Sequence, residues 1–278
     1  MTTRIDAPSN PRIVAAVKAA ASGESMLLEG RRMIEDGLDA GIKIEEIFVR
    51  RNTEEEEEEG KEEEDFLRRV RGEGKLRVTE VSARVLRKLS DLPSTRGVVA
   101  LATPPHRTLA SLFPDLPSKK SPSSSSPLFL ILNDIQDPVN VGAILRSGEA
   151  FGAAAALLTP GSASPFSPRA LRASAGSAFR LPVATRVAAS EAVLFARANG
   201  IALIGAEARG GTAPEAMAGV HPIALVIGSE GHGISPELAA ALDHRVTVPL
   251  QGRVQSLNAA VAAGVLLQIL TRRPASPG

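Results

Sequence analysis

Residues 248–270, VPLQGRVQSLNAAVAAGVLLQIL, form the stretch of sequence that decides the fold. The pattern predicts a strand end, a loop and then a helix whose start carries Ser256 and Asn258. The body of this helix is almost entirely Ala, Val, Gly and Leu, so we expect another segment to pack very close to it. Ser256 is the predicted N-cap, and Asn258 is expected to face the same opening, because short polar side chains satisfy the free N–H groups of a first turn. A capped, alanine-rich core helix is the alternative interpretation.

The composition is that of an ordinary globular protein, with 44% hydrophobic and 23% charged residues among 278. Cysteine is absent, which excludes disulfides and zinc sites built on thiolates, and we expect no metal. The N-terminus has no apolar segment of the signal-peptide type, and no apolar run reaches the roughly 20 residues that span a bilayer. We therefore predict a cytoplasmic protein without a membrane segment.

The charge is nearly balanced, at +1, but it is unevenly distributed. The acidic run EEEEEEGKEEED occupies residues 54–65, and we expect it to be solvated and to face away from any polyanion. Residues 128–278 hold eleven arginines and no lysine. Arginine suits bidentate phosphate binding, although a GC-rich genome would give the same bias. Charge is therefore only a weak indication of a nucleic-acid partner.

A Ser/Pro-rich segment, SKKSPSSSSP, at residues 118–127 predicts a linker between two domains, at 1–117 and 128–278. In the first domain, residues 10–22 predict a helix capped by Asn10, and residues 44–50 a strand. Strands and helices alternate through the rest of this domain, which is typical of a small α/β sandwich.

The second domain alternates more regularly. Near-continuous apolar stretches at 128–134, 154–159, 201–208 and 223–230 predict buried strands, with helices between them. This pattern indicates a parallel sheet covered on both faces, in which ligands bind beyond the carboxyl ends of the strands. Three clusters of polar residues and glycines fall at those ends.

The first cluster, NDIQDPVNVGAILRSGEAFG, spans residues 133–152. Asn140 is predicted to cap a helix there, and Gly142 to let another backbone approach. Arg146 lies two turns into that helix among apolar residues, where it either serves a site or extends its head to water.

The second cluster, IGSEGHGISPEL, spans residues 227–238 and predicts a tight glycine loop that opens a helix capped by Ser235. The loop lacks the Lys-Ser/Thr ending of a P-loop and the G-x-G-x-x-G fingerprint of dinucleotide sites. Backbone binding of a nucleotide-like ligand and an ordinary structural turn both remain open. His232 is more typical of a surface loop histidine than of a functional one. The opening stretch is the third cluster.

In this order, the three clusters resemble the SpoU/TrmH family, RNA ribose 2′-O-methyltransferases of the SPOUT superfamily. The matching blocks are residues 128–152 and 223–270, and PFSPRALRASAGSAFRLPV at 165–183 is also similar to the family. In the first domain, MLLEGRRMIEDGL and VSARVLRKLSDLPSTRGVVALA resemble the ribosomal L30e-like RNA-binding domain that is often fused in front. The resemblance therefore covers nearly the whole chain.

The resemblance implies an α/β SPOUT domain whose C-terminal part forms a trefoil knot, which periodicity alone does not predict because knots are rare. It also implies S-adenosylmethionine (SAM) as cofactor, an RNA partner and a homodimer formed through the C-terminal domain. By the same resemblance, Gly228, Val248 and Leu257 line the adenosine pocket, and Ser256 lies beside it.

The resemblance further assigns Arg146 as the catalytic arginine and Asn140 as its companion, while Glu230 and Asn258 shape the site. Because the pKa of arginine exceeds about 12, we interpret Arg146 as a clamp on a phosphate of the target nucleotide rather than as a base. The motif departs from the family at Ala260, where a serine is usual. The absence of Tyr and Trp makes base stacking a minor contribution, so recognition is expected to depend on phosphate contacts and RNA shape.

Several functions are compatible with these motifs. A SAM-dependent RNA 2′-O-methyltransferase acting on ribosomal RNA is the leading hypothesis, because a separate L30e-like domain favours rRNA over tRNA. A tRNA enzyme and a catalytically silent RNA-binding scaffold of the same fold are the alternatives. A Rossmann-type nucleotide enzyme would need the fingerprint that is missing.

Overall fold

The computed structural model describes residues 3–50, 66, 68, 76–90, 97–112, 127–217 and 220–272. Two compact units are present: residues 1–105 with 166–168, and residues 106–165 with 169–278. The domain limits given above, 1–117 and 128–278, stay a prediction. The linker lies outside the described residues except for Pro127, and so does the acidic run at 54–65.

The first unit is a mixed sheet flanked by helices. Its elements are β1 (Thr3–Ile5), α1 (Pro11–Ser22), β2 (Met26–Glu29), α2 (Arg31–Asp39), β3 (Ile44–Arg50), β4 (Arg77–Val81), α3 (Ala83–Leu89) and β5 (Val98–Ala102). The sheet order is β1-β4-β3-β5-β2; β4 is parallel to both its neighbours and β5 is antiparallel to both of its own. Asn10 caps α1 as predicted, since its side chain accepts a hydrogen bond from the Arg12 N–H at 3.0 Å.

A buried polar cluster joins α1 to two strands of this unit. The Arg12 guanidinium pairs with the carboxylate of Glu46, which is buried in β3. The hydroxyl of Thr79, buried in β4, donates to the same Glu46 oxygen at 2.5 Å. A buried carboxylate is tolerated only when it is paired and hydrogen-bonded in this way, so the cluster fixes α1 on the sheet.

The second unit is a parallel sheet, as predicted, and it has six strands among the described residues. Its elements are β6 (Leu128–Asn133), α4 (Pro138–Ala150), β7 (Ala155–Leu158), α5 (Pro168–Ser174), α6 (Ser177–Arg180), β8 (Val183–Ala184), α7 (Ala189–Asn199), β9 (Ala202–Ala206), β10 (Ile223–Gly228), α8 (Pro236–Ala241), β11 (His244–Val246) and α9 (Ala259–Leu270). The order is β11-β9-β10-β6-β7-β8. Strand β8 was not predicted, because two residues carry no periodic signal. The strand end predicted at residue 248 corresponds to β11, which ends two residues earlier, at Val246.

The central strands are covered on both faces. Every residue of β6 is buried, and so is all of β10 except Gly228. On one face, Phe129 of β6 meets Phe195 of α7 edge to face, with ring centroids 5.7 Å apart. The structure thus confirms the two-sided burial that the apolar runs predict. Across the described ranges, no helix has the length and apolar character needed to cross a bilayer.

Helix α4 is the neighbour against which the small-faced helix α9 packs. A Cβ added at Gly264 of α9 would meet only the Ser147 hydroxyl of α4, at an ordinary 3.5 Å. The tightest approach is instead on the α5 side of α4, where a Cβ at Gly142 would lie 2.3 Å from the Ala170 carbonyl oxygen. The prediction that Gly142 admits another backbone is therefore confirmed. The trefoil knot stays a prediction.

Candidate active site

A cavity of about 630 Å³ opens beyond the carboxyl ends of β9 and β10, which is the size of an ordinary small-molecule site. All four residues that the resemblance assigns to the cofactor line it: Gly228, Val248, Ser256 and Leu257. They reach the cavity from the end of β10 and from the loop between β11 and α9. The predicted set is therefore brought together in one place.

The charged side chains that line this cavity are all acidic among the described residues. Among the described residues, its lining contains two carboxylates, Glu207 and Glu230, and no lysine, arginine or histidine. The rest of the lining consists of small and aliphatic side chains, serines, glycines and Asn258. Two carboxylates would repel a phosphate, so the cavity suits a ligand that carries positive charge and an apolar body.

A hydrogen-bond network connects three of the predicted site residues. The Glu230 Oε1 atom accepts from Asn140 Nδ2 at 3.0 Å, from Asn258 Nδ2 at 2.8 Å and from the Ala259 main-chain N–H at 3.3 Å. Asn258 Nδ2 is also 2.9 Å from Asn140 Oδ1. The carboxylate is therefore held at the N-terminus of α9, where the helix dipole favours negative charge.

The prediction that Ser256 caps the last helix is wrong. Asn258 is the N-cap, and its Oδ1 accepts from the main-chain N–H groups of Ala260 at 3.0 Å and Val261 at 3.3 Å. Ser256 is exposed in the preceding loop, where it lines the cavity. Beginning the helix two residues later lets one side chain do both tasks: the oxygen of Asn258 caps the helix and its nitrogen binds Glu230.

The prediction that Asn140 caps α4 is also wrong. Asp137 is the N-cap, since its Oδ1 accepts from the Val139 N–H at 2.9 Å, and Pro138 occupies the first helical position. Asn140 therefore lies inside the first turn and is buried. Its amide is free of the capping role and turns toward Glu230.

The predicted tight glycine loop is confirmed at residues 228–235. Ser229 and Gly233 exchange two main-chain hydrogen bonds, at 3.1 and 2.9 Å, which closes the loop on itself. A Cβ at Gly228 would lie 2.2 Å from the Gly233 carbonyl carbon, so no side chain fits there. Ser235 precedes α8 as predicted, but its hydroxyl forms no capping bond and is buried without a partner within the described residues. His232 is exposed.

Asn133, the last residue of β6, connects two loops of the site through its side-chain hydrogen bonds. Its Oδ1 accepts from the Ser235 N–H at 2.6 Å, and its Nδ2 donates to the Thr159 hydroxyl at 3.2 Å. This buried side chain ties the glycine loop to the segment that follows β7. Asn133 begins the first predicted cluster, and no role in the site was predicted for it. The signal was a polar residue ending an otherwise apolar strand.

A second cavity, of about 250 Å³, adjoins the first. It shares Ser229, Glu230 and Ala259 with the larger cavity and is completed by Ile135, Gln136, Asp137, Asn140, Gly231 and His232. Glu230 therefore lines both cavities and forms part of the wall between them. Two ligands could meet at this carboxylate.

Arg146 is not brought to the network. It is exposed on α4, lines neither cavity and forms no hydrogen bond or ion pair within the described part of the chain. Asn140 and Arg146 are six residues apart on one helix, which turns their side chains about 120° away from each other. The structure thus joins Asn140, Glu230 and Asn258, and leaves Arg146 facing outward.

Two family models match the chain. Residues 127–268 match the model described as the SpoU rRNA methylase family, and residues 18–100 match an MRM3-like substrate binding domain. An uncharacterized tRNA/rRNA methyltransferase of Mycobacterium leprae is 32% identical over 250 residues, covering 90% of this chain and 78% of that protein.

Solved structures agree with the fold. The crystal structure of an RNA 2′-O ribose methyltransferase has 31% identity and a TM-score of 0.73, and the match covers 97% of this chain and 98% of that one. An rRNA methyltransferase from Sinorhizobium meliloti, crystallised with bound AdoMet (the same molecule as SAM), has a TM-score of 0.79 over 96% of both chains. At 24% identity, that second likeness concerns the fold alone. By its motifs, its parallel sheet and its matched relatives, the chain belongs to the SpoU rRNA methylase family.

Proposed function

We propose that this protein methylates the 2′-hydroxyl of a ribose in RNA with SAM as methyl donor, and that its substrate is ribosomal RNA. The observation that carries the proposal is the position of Glu230 on the wall shared by the two cavities, held by Asn140 and Asn258. The solved 2′-O ribose methyltransferase with 31% identity supports the ribose as acceptor. The match of residues 18–100 to a substrate binding domain supports a large RNA.

The larger cavity fits SAM in charge. SAM has a positive sulfonium and an ammonium against one carboxylate, and the described lining of this cavity has two carboxylates, of which Glu207 is paired with Arg245 and Glu230 has no cationic partner. Gly228, Val248 and Leu257 would bind the adenosine, with Ser256 at the edge. When bound, SAM supplies a methyl carbon that is attached to a positively charged sulfur. The ribose oxygen bonds to this carbon while the carbon–sulfur bond breaks and leaves the sulfur neutral.

The smaller cavity would receive the acceptor nucleotide. Oε1 of the Glu230 carboxylate accepts from Asn140 and Asn258, and no described residue donates a hydrogen bond to Oε2. This arrangement positions the reacting groups and does not activate them chemically, which suits a reaction whose methyl group is already activated. The hydroxyl proton would pass to a phosphate oxygen of the RNA or to water.

We further propose that Arg146 clamps a phosphate of the target nucleotide. Its exposure on α4 leaves both edges of the guanidinium available for a bidentate contact, which lysine cannot make. Arg146→Lys is expected to lower kcat/KM for RNA by about tenfold or more, while SAM affinity stays within twofold. Single-turnover methylation and calorimetry measure the two quantities. Normal turnover by the lysine variant would exclude the bidentate clamp.

A homodimer through α4 and α9 is the proposed assembly. Helix α9 carries no charged residue, and two large apolar side chains of these helices are exposed: Val261 of α9 at 52% and Val139 of α4 at 47%. A helix that is apolar on every side normally has a second partner. Val261→Glu is expected to convert a dimer into a monomer in light scattering after size-exclusion chromatography. A wild-type monomer at micromolar concentration would contradict the proposal.

Methylation of purified RNA tests the proposed function. Ribosomal RNA and tRNA from a strain that lacks the gene are incubated with labelled SAM and either wild-type or Asn140→Ala protein. A 2′-O-methyl blocks alkaline cleavage of the adjacent bond, so label in alkali-resistant dinucleotides of rRNA is the expected result. Label in mononucleotides would mean base methylation, and label in tRNA alone would favour the tRNA alternative. SAM and RNA binding without label would favour the silent scaffold.

A further inference from the structure

Glu207 is the second carboxylate of the larger cavity, and no motif pointed to it. It follows β9, and its main-chain N–H donates to the Val246 carbonyl at 2.9 Å. Its Oε1 accepts from the Arg245 guanidinium at 2.5 Å, and Arg245 also donates to the Ala239 carbonyl at 2.7 Å. The side chain is therefore held at the cavity edge, with no hydrogen bond to Oε2 among the described residues.

The two carboxylates are attached to neighbouring strands. Glu207 follows β9, which pairs with one edge of β10, whereas Glu230 follows β10 itself and accepts from Asn140 of α4, the helix that follows β6 on the other edge of β10. Only Glu230 also borders the smaller cavity. The reacting end of a bound donor must therefore lie at Glu230, and a part of the donor remote from the reaction lies at Glu207.

The two carboxylates also differ in whether a neighbouring cation neutralises their charge. Glu207 is paired with the Arg245 guanidinium, whereas every described partner of Glu230 is a neutral amide. A cationic ligand group beside Glu207 would be repelled by Arg245, so that carboxylate suits a neutral donor such as a hydroxyl. The unneutralised charge of Glu230 suits a cation.

We propose that Glu207 accepts a hydrogen bond from the ribose hydroxyls of the cofactor, while Glu230 faces its positively charged sulfonium. The inference rests on the proposed use of SAM and assigns each carboxylate a separate part of it. A carboxylate at the end of a parallel strand binds ribose hydroxyls in dinucleotide folds by the same chemistry.

Three ligands separate the parts of the cofactor in calorimetry. SAM has ribose, amino acid and sulfonium; S-adenosylhomocysteine keeps the first two with a neutral sulfur; 5′-methylthioadenosine keeps the ribose without the amino acid. Each is titrated into wild-type, Glu207→Gln and Glu230→Gln protein. Glutamine preserves an oxygen for the existing donors, so both variants are expected to fold. Glu237→Gln, on the exposed start of α8 and outside both cavities, is the matched control.

Glu207→Gln is expected to weaken all three ligands by the same factor, about tenfold, because each keeps the ribose. Glu230→Gln is expected to weaken SAM more than the two ligands with neutral sulfur. Unchanged affinities in Glu207→Gln would overturn the assignment of Glu207 while leaving SAM as cofactor. If Glu207→Gln binds SAM and S-adenosylhomocysteine more weakly but 5′-methylthioadenosine as tightly as wild type does, the ribose assignment is overturned, and Glu207 contacts the ammonium of the amino acid instead. If wild-type protein binds none of the three, the proposed function itself fails.

Discussion

Gly228→Ala is expected to abolish cofactor binding and to lower the free energy of unfolding by about 3 kcal/mol. A Cβ at this position would lie 2.2 to 2.4 Å from three main-chain atoms of Gly233 and Ile234. Main-chain atoms cannot move aside as a flexible side chain can, and this loop is closed by the two hydrogen bonds between Ser229 and Gly233. The loop must therefore open, and the cavity loses the wall that Gly228 and Ser229 provide.

Gly231→Ala is the matched control in the same loop. A Cβ there has no neighbour within 4 Å, and the residue does not require a left-handed conformation. We expect wild-type SAM affinity and stability from this variant. Urea denaturation and calorimetry on both variants make the comparison. Wild-type binding by Gly228→Ala would mean that the loop has another arrangement in solution.

Asn258→Ala is expected to lower the affinity for SAM by more than tenfold and to lower the free energy of unfolding by about 2 kcal/mol. Two separate losses contribute. Removing Oδ1 uncaps α9, which costs about 1 kcal/mol. Removing Nδ2 takes one donor from Glu230 and one from Asn140, and leaves the Asn140 amide oxygen without this partner in a buried position.

Asn258→Ser separates the two losses. Serine caps a helix about as well as asparagine but is too short to replace the amide nitrogen at Glu230. Stability between those of wild type and Asn258→Ala, with SAM affinity as weak as in Asn258→Ala, is the expected result. If serine restores binding as well as stability, the network is only a helix cap. Thermal unfolding and calorimetry on the same samples decide between these outcomes.

The strands and the three polar clusters were predictable because their signals are local. Apolar runs marked β6, β7, β9 and β10, and the ends of those strands predicted where the site lies. The meeting of Asn140, Glu230 and Asn258 was available only from the family resemblance, since 118 positions separate the two asparagines. Periodicity has no means of ranking such distant pairs.

Two helix caps, those of α4 and α9, were mispredicted for the same physical reason. Serine, aspartate and asparagine are all good caps, so local preference cannot choose between Ser256 and Asn258, or between Asp137 and Asn140. The deciding interaction is with Glu230, which accepts hydrogen bonds from the amide nitrogens of both asparagines. Glu207 was overlooked because its partner, Arg245, is 38 residues away in the sequence, so no local motif links the two.

Asn258 as a cap that also completes the site has a consequence for protein synthesis. Every residue that lines the larger cavity falls between Ala206 and Leu266, and Glu230 gains two of its three donors from Asn258 and Ala259. A nascent chain that still holds these residues inside the ribosome has its first unit and Asn140 but no enclosed cavity. The lining of the cavity is therefore complete only after residue 266 has emerged, so we expect the cofactor to bind only to the nearly finished chain.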